Sequence, residues 1–325
     1  MARLVRVRPD TDPGFRRVRA GSTFRYLAED GAPASDSDQK RIRALVIPPA
    51  WEDVWIAREP LAHIQVVGTD AAGRRQYLYH PRWRAPRDRR KFARALALAA
   101  ALPQARTRVT VALRGEGHDR ERVLAVAFRL LDEAAPRVGS ARYLATHGSR
   151  GLTTLRRRDA SVAERVVTLS FPAKSGKRAL LEIDDADLAS TIAMLVSRSP
   201  RSPLLWYPEG RRQRALTPAD VNAHVRALTG GRFTAKDFRT LRGTILAADA
   251  LARIGTVDTA GQRKHAEALA VQASAQALGN TASVARASYI DPRVFQRYRQ
   301  GRLLELDVSP ETAIRRLLAA TGRSG

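Results

Sequence analysis

Two short stretches near the C-terminus carry side chains whose types and spacing suit chemistry on a phosphodiester: KDFRTLRGT from Lys236 and GNTASVARASYIDP from Gly279. The first sets Lys236 and Arg239 one helical turn apart. The second contains Tyr289, with Asn280 and Arg286 just upstream. A phenol, with a pKa of about 10, is a poor nucleophile at neutral pH. It becomes an effective one when fixed cations and amide donors surround the phosphate it attacks. Run without a metal, such a transfer needs cations on the non-bridging oxygens, a nucleophile, and an acid for the departing oxygen.

Two upstream motifs offer the missing parts. RVGSARY runs from Arg137 to Tyr143 and is followed by RGLTTLRRRD from Arg150. FPAKSGK reads as a hairpin turn and carries Lys174 and Lys177, two of only six lysines in the chain. Lysine can give up a proton where arginine effectively cannot, which makes the few lysines worth inspecting. Taken singly, each of these basic residues reads as a surface charge; their order and local context argue for a site.

Composition points the same way. The 325 residues suffice for two domains and a sizeable core. Lys and Arg total 57 against 32 Asp and Glu, a formal charge of +25, and such an excess suits a polyanionic partner, nucleic acid above all. With no cysteine, disulfides, thiolate catalysis and Cys-zinc sites are excluded. The start, MARLVRVRPDTDPGF, has no apolar signal-peptide core, and the apolar run from Ala95 to Leu102 is too short to span a bilayer. A cytoplasmic protein with no membrane partner is expected. Neither a GxxxxGK[ST] loop nor an acidic metal triad appears, in keeping with chemistry that needs no ATP, metal or other cofactor.

These residues must be held by a mixed architecture. Residues 1–86 read as β-rich, with strands expected at Arg43–Pro48, Val54–Ile56, His63–Val67 and Gln76–Tyr79, the last two forming a hairpin that turns near Asp70–Gly73. Strand alternation places Tyr77 and Tyr79 on one face and Gln76 on the other. The basic, proline-containing segment Pro81–Arg90 reads as a linker. Helices are expected to dominate residues 87–325, with a single β interruption at Arg165–Phe171 and Arg178–Ile183. Thr217-Pro218-Ala219-Asp220 and Thr234-Ala235-Lys236-Asp237 are helix starts, and Gly230-Gly231 and Gly279 are helix stops. Lys236 and Arg239 therefore fall in the first turns of a helix.

Taken together, the four motifs and the stretch VWIAREPLAHIQVVGTDAAGRRQYLYH resemble type IB DNA topoisomerases, most closely the small poxvirus-like and bacterial group, over roughly residues 12–300. The resemblance implies an α+β fold: a small β-rich N-terminal DNA-binding domain and a larger, mostly helical catalytic domain of the tyrosine recombinase/topoisomerase IB type, with a small β-hairpin or three-stranded sheet. It implies Tyr289 as nucleophile, Arg137 and Arg239 as phosphate-binding arginines, Lys174 as general acid and Asn280 as a phosphate-oxygen donor. Poxvirus and eukaryotic members carry His where Asn280 stands, and the family commonly has Arg-Gly where Pro172-Ala173 precede Lys174. Gln76, Tyr77, Tyr79, Tyr143 and Lys236 become expected DNA contacts, and Arg286 either a DNA-backbone contact or a structural ion pair. The implied activity is relaxation of positive and negative supercoils through a 3′-phosphotyrosyl intermediate, swivelling and religation. The implied partner is duplex DNA, clamped by a monomer associated with the nucleoid. Two rivals stand beside it. A tyrosine recombinase would open on a helical core-binding domain and usually carries His-x-x-Arg in place of Lys236-x-x-Arg239. A non-catalytic basic DNA-binding protein would account for the charge but not for five matching polar positions.

Overall fold

Strands β1 (Gly14–Ala20), β2 (Thr23–Leu27), β3 (Glu52–Ala57), β4 (Ile64–Thr69) and β5 (Arg75–Tyr79) form an antiparallel sheet ordered β2-β1-β3-β4-β5, with helix α1 (Asp36–Ala44) between β2 and β3. This computed structural model describes residues 3–71, 73–196 and 199–319. The chain divides into two units between Arg90 and Lys91. In the first unit, Phe15, Val54, Ile56 and Val66 pack with Ile42 of α1 into a small core. Pairing of Thr69 with Arg75 closes the β4–β5 hairpin, where the Asp70 N–H donates to the Arg74 carbonyl at 2.9 Å.

One strand expected in this unit is corrected. Residues 43–48 are not a strand: they finish α1 and turn out of it, with Val46 at φ +50° and 80% exposed. Ser35 caps that helix, acids fill its first turn and Arg41 and Arg43 its last, so end chemistry outweighs a short apolar run that periodicity alone cannot classify. Strands β1 and β2 stood where arginines interrupt the apolar pattern and gave no strand signal.

The segment expected as a linker is the start of helix α2 (Pro81–Arg114). Proline suits a first helical position because that N–H has no intrahelical partner. Pro86 and Pro103 each remove a ladder bond further in. Eight buried side chains between Phe92 and Leu113 stabilise the helix by more than those losses cost.

The second unit is mostly helical. Helix α3 (Arg120–Ala134) buries Val123, Leu124, Val126, Phe128, Leu130 and Leu131 on several faces, as a central helix does. Helix α4 (Ala141–His147) leads to a three-stranded sheet of β6 (Ala160–Ala163), β7 (Val166–Pro172) and β8 (Arg178–Asp184). After α5 (Ala186–Val196) comes a second hairpin, β9 (Trp206–Glu209) with β10 (Arg212–Ala215). The sequence was read as having one β interruption; this hairpin's four-residue, mostly exposed arms carry no alternation to betray it. Helices α6 (Pro218–Thr229), α7 (Ala235–Ile254), α8 (Ala260–Ala277), α9 (Ala282–Ser288), α10 (Arg293–Arg299) and α11 (Pro310–Leu318) complete the unit. Thr217 and Thr234 each form a capping box with the acid three residues on, and Phe128 of α3 meets Phe238 of α7 edge-on at 5.3 Å. The fold is α+β: an N-terminal sheet unit followed by a helical unit with small sheets. No helix among the described residues is long and apolar enough to cross a membrane.

Candidate active site

Helix α7 organises the site. Its capping box places Lys236 and Arg239 in the first two turns, where the N-terminal end of the helix dipole favours an anion. Asp237 is fully buried, receives the Thr234 N–H at 2.8 Å and pairs with Arg94 at 2.7 Å, so its charge is committed to structure. Arg239 is 5% exposed. Its Nη1 donates to the Ala135 carbonyl at 2.6 Å and its Nη2 to the Leu278 carbonyl at 2.7 Å, the C-terminal ends of α3 and α8. A cation at two helix C-termini is electrostatically favoured, which offsets the cost of burying it. Its Nε makes no hydrogen bond among the described residues.

The Tyr289 segment is fastened to the same helix. Thr244, buried in α7, donates to the Tyr289 carbonyl at 3.1 Å and accepts the Asp291 N–H at 3.1 Å. One turn-face neighbour, Gly243, has no side chain because a Cβ there would lie 2.9 Å from the Tyr289 carbonyl oxygen and 3.0 Å from the Tyr289 Cβ. The Tyr289 ring is 8% exposed, and the Arg239 guanidinium carbon sits 5.0 Å from its centroid. Burial pushes the phenol up, but Arg239, Arg137 and Lys236 outweigh it and hold the pKa below its ordinary value.

Asn280 is set by the end of α8. Gly279, at φ +59°, supplies the left-handed residue; the Gly279 N–H donates to Gln276 and the Asn280 N–H to Ala275. That pair of bonds is a Schellman stop, which fixes the residue after the glycine. Asn280 Oδ1 accepts from Arg137 Nη2 at 2.5 Å, leaving Asn280 Nδ2 buried and unpartnered among the described residues. An amide donor beside an arginine suits an anion's oxygens.

Arg137 follows α3 in an extended segment that packs against the Gly151–Thr154 turn. The Leu152 N–H donates to the Arg137 carbonyl at 2.8 Å and the Thr153 N–H to that of Val138 at 2.9 Å. Backbones approach so closely that a Cβ on Gly151 would meet the Arg137 carbonyl oxygen at 2.4 Å. Lys174 lies exposed in the β7–β8 turn, closed by the Ala173 N–H on the Lys177 carbonyl at 2.7 Å. No hydrogen bond holds its ammonium among the described residues. Arg137, Lys174, Lys236, Arg239 and the half-exposed Tyr143 of α4 line one cleft of about 460 Å³. A larger cleft of about 670 Å³ between α2, α3 and α6 contains none of them, so size does not mark the chemistry here.

The remaining expected contacts sit elsewhere. Arg286 pairs with the buried carboxylate of Glu267 at 3.1 Å, which also holds Arg299 at 2.6 Å, and lies over the Phe295 ring at 4.5 Å. Arg286 and Arg299 thus flank the Tyr289 segment in sequence and share one acid. In the N-terminal unit, Tyr77 and Tyr79 stack at 6.0 Å on the exposed face of β5. Gln76 points to the opposite face and donates to Asp70 Oδ2 at 2.8 Å. Sequence reasoning missed Gly243, Thr244, Glu267 and Arg150; the visible signal for the first was a glycine inside a helical pattern, which marks close packing.

Residues 80–304 match the family described as eukaryotic DNA topoisomerase I, catalytic core, and residues 23–70 match the bacterial DNA topoisomerase IB N-terminal domain. A DNA topoisomerase 1B from Acanthamoeba polyphaga mimivirus is 28% identical over 286 residues, covering 85% of each chain.

Proposed function

Because this chain belongs to the type IB DNA topoisomerases, an enzyme family acting on DNA, we propose that it relaxes positive and negative supercoils by breaking and resealing one strand at Tyr289. The phenolic oxygen attacks the phosphorus and the bond to the 5′-oxygen breaks. The phenol proton passes to solvent water, and the Lys174 ammonium gives a proton to the departing oxygen. The strand is left with a 3′-phosphotyrosyl link and a free 5′-hydroxyl. Arg137, Arg239 and Asn280 donate to the non-bridging oxygens as charge builds on them. Swivelling follows, and the 5′-hydroxyl attacks back to restore the phosphodiester and the phenol. Bond energy is kept in the phosphotyrosine, so no nucleotide is needed.

The observation that carries this reading is the buried phenol held below its ordinary pKa by Arg239, Arg137 and Lys236, with Asn280 Nδ2, on the amide that Arg137 holds, buried and unpartnered among the described residues. Supporting contacts to DNA fall to Tyr143 and Lys236 in the cleft, to Gln76, Tyr77 and Tyr79 on β5, and to the outer edge of Arg286. A monomer suffices, since every proposed reacting group lies in one chain. Incubation with supercoiled plasmid in EDTA without ATP tests it: relaxation in steps of variable linking-number change is expected for both signs of supercoil. Strict dependence on magnesium or ATP overturns it.

A further inference from the structure

Arg150 lines the cleft that holds Arg137, Lys174, Lys236 and Arg239, yet the mechanism above leaves it without a task. Its side chain is 8% exposed and its Nη1 is held by Asp159 at 2.5 Å. Asp159, 4% exposed, spends its other oxygen on the Arg156 N–H at 2.8 Å, so it is locked in turn. Arg150 Nε makes no hydrogen bond among the described residues. A buried ion pair is seldom retained for stability, because desolvation of two charges offsets most of their attraction. One that leaves a donor unfilled beside an anion-binding cleft has a second reason to exist. Its position reinforces this: the Arg150 N–H donates to the Pro172 carbonyl at 2.8 Å, at the foot of the Lys174 turn, while Gly151 packs on the Arg137 backbone. The residue is the joint between the segment of one phosphate-binding arginine and the turn of the proposed acid.

We infer that Arg150 is a further catalytic-cleft contact to DNA: Asp159 holds Nη1 and so orients the guanidinium toward a backbone phosphate of the strand lying in the cleft. This rests on the proposed function, since it takes that cleft as the DNA site. Arg–phosphate contacts are charge-assisted and geometrically selective, so lysine is a poor replacement.

The test uses Arg150→Met alone and together with Asp159→Asn, which removes both charges while an amide oxygen still accepts the Arg156 N–H. Wild type, single and double variants are compared by thermal melting and by single-turnover cleavage of a duplex in EDTA. The duplex carries one neutral methylphosphonate at each position in turn. The single variant is expected to lose both stability and rate. In the double variant stability returns toward wild type while cleavage stays slow by roughly tenfold or more. One methylphosphonate position should slow the wild type by the same factor and the double variant no further, which identifies the phosphate. Recovery of the wild-type rate in the double variant means Arg150 only neutralises Asp159, and the inference falls. Additive losses at every methylphosphonate position overturn it as well. A wild type that forms no covalent adduct on the unmodified duplex sinks the parent function and this contact together.

Discussion

In the proposed mechanism Tyr289 gains its reactivity from its neighbours rather than from its own chemistry, and single side chains separate their contributions. Tyr289→Phe removes one oxygen and leaves the packing of an 8%-exposed ring nearly intact. DNA binding is expected to survive while the covalent adduct disappears on a denaturing gel; an adduct in that variant would end the assignment. Loss of Arg239 leaves the phenol buried without its strongest counter-charge, so the phenol pKa rises and the rate–pH profile of Arg239→Ala moves to higher pH. Lys174→Ala also cuts cleavage, for another reason: an alkoxide leaves poorly without an acid. A bridging 5′-sulfur leaves without much protonation, so cleavage by Lys174→Ala should recover on that substrate and cleavage by Arg239→Ala should not. Equal rescue of the two would reassign the acid. Residue types suggested the proposed roles because tyrosine, lysine, arginine and asparagine differ in what they can donate. Their partners were silent, since a hydrogen bond from Arg137 to Asn280, 143 residues apart, has no local sequence correlate.

Among the elements, α7 has two duties, carrying Lys236 and Arg239 on its first turns and gripping the Tyr289 backbone through Thr244 and Gly243. Gly243→Ala tests the grip. Alanine is favoured over glycine in a helix by about 1 kcal/mol, but its Cβ runs into backbone at Tyr289, which cannot rotate away. Cleavage is expected to fall about tenfold or more with DNA affinity unchanged, measured by single-turnover kinetics beside filter binding. Unaltered cleavage would show that the Tyr289 backbone has room to shift. Thr244→Val, by leaving two buried backbone groups unpaired, should in addition lower stability by about 1–3 kcal/mol in urea. Helices with cap chemistry, such as α6 and α7, were legible from Thr-x-x-Asp alone. The linker expected at residues 81–90 was not, because burial of one face further along α2 overrides prolines that local rules treat as breaks.

At the level of the whole molecule, the +25 charge fixes how binding responds to salt. Each phosphate neutralised releases counterion, so log affinity for duplex DNA should fall linearly with log salt at a slope near −0.9 per contact. A nearly flat dependence would remove DNA as the partner. Acid stability depends on a different group. Burial, with help from Arg120, pushes His224 down to about 4, and its Nε2 is unpartnered among the described residues. The unfolded chain, with an ordinary imidazole, binds a proton through the window from pH 6.5 down to about 4 while the folded chain does not, so stability rises with pH across it. Cooling the comparison to one temperature, wild type should lose roughly 2–3 kcal/mol between pH 7 and pH 4.5 from this group, and His224→Leu correspondingly less. Equal losses in urea titrations of both would place the acid sensitivity elsewhere. Composition made the charge and its partner plain, but it held no trace of which histidine would be buried.

The fastening of Tyr289 to α7 has a consequence for timing. On the proposed roles, the nucleophile is fastened by its backbone to the rod that carries one of its phosphate clamps, so neither can arrive before the other. The exposed Lys174 turn belongs to a different element, and among the described residues no hydrogen bond fixes its ammonium. Commitment to strand breakage is then metered by one late arrival, and the resting enzyme stays loaded but latched.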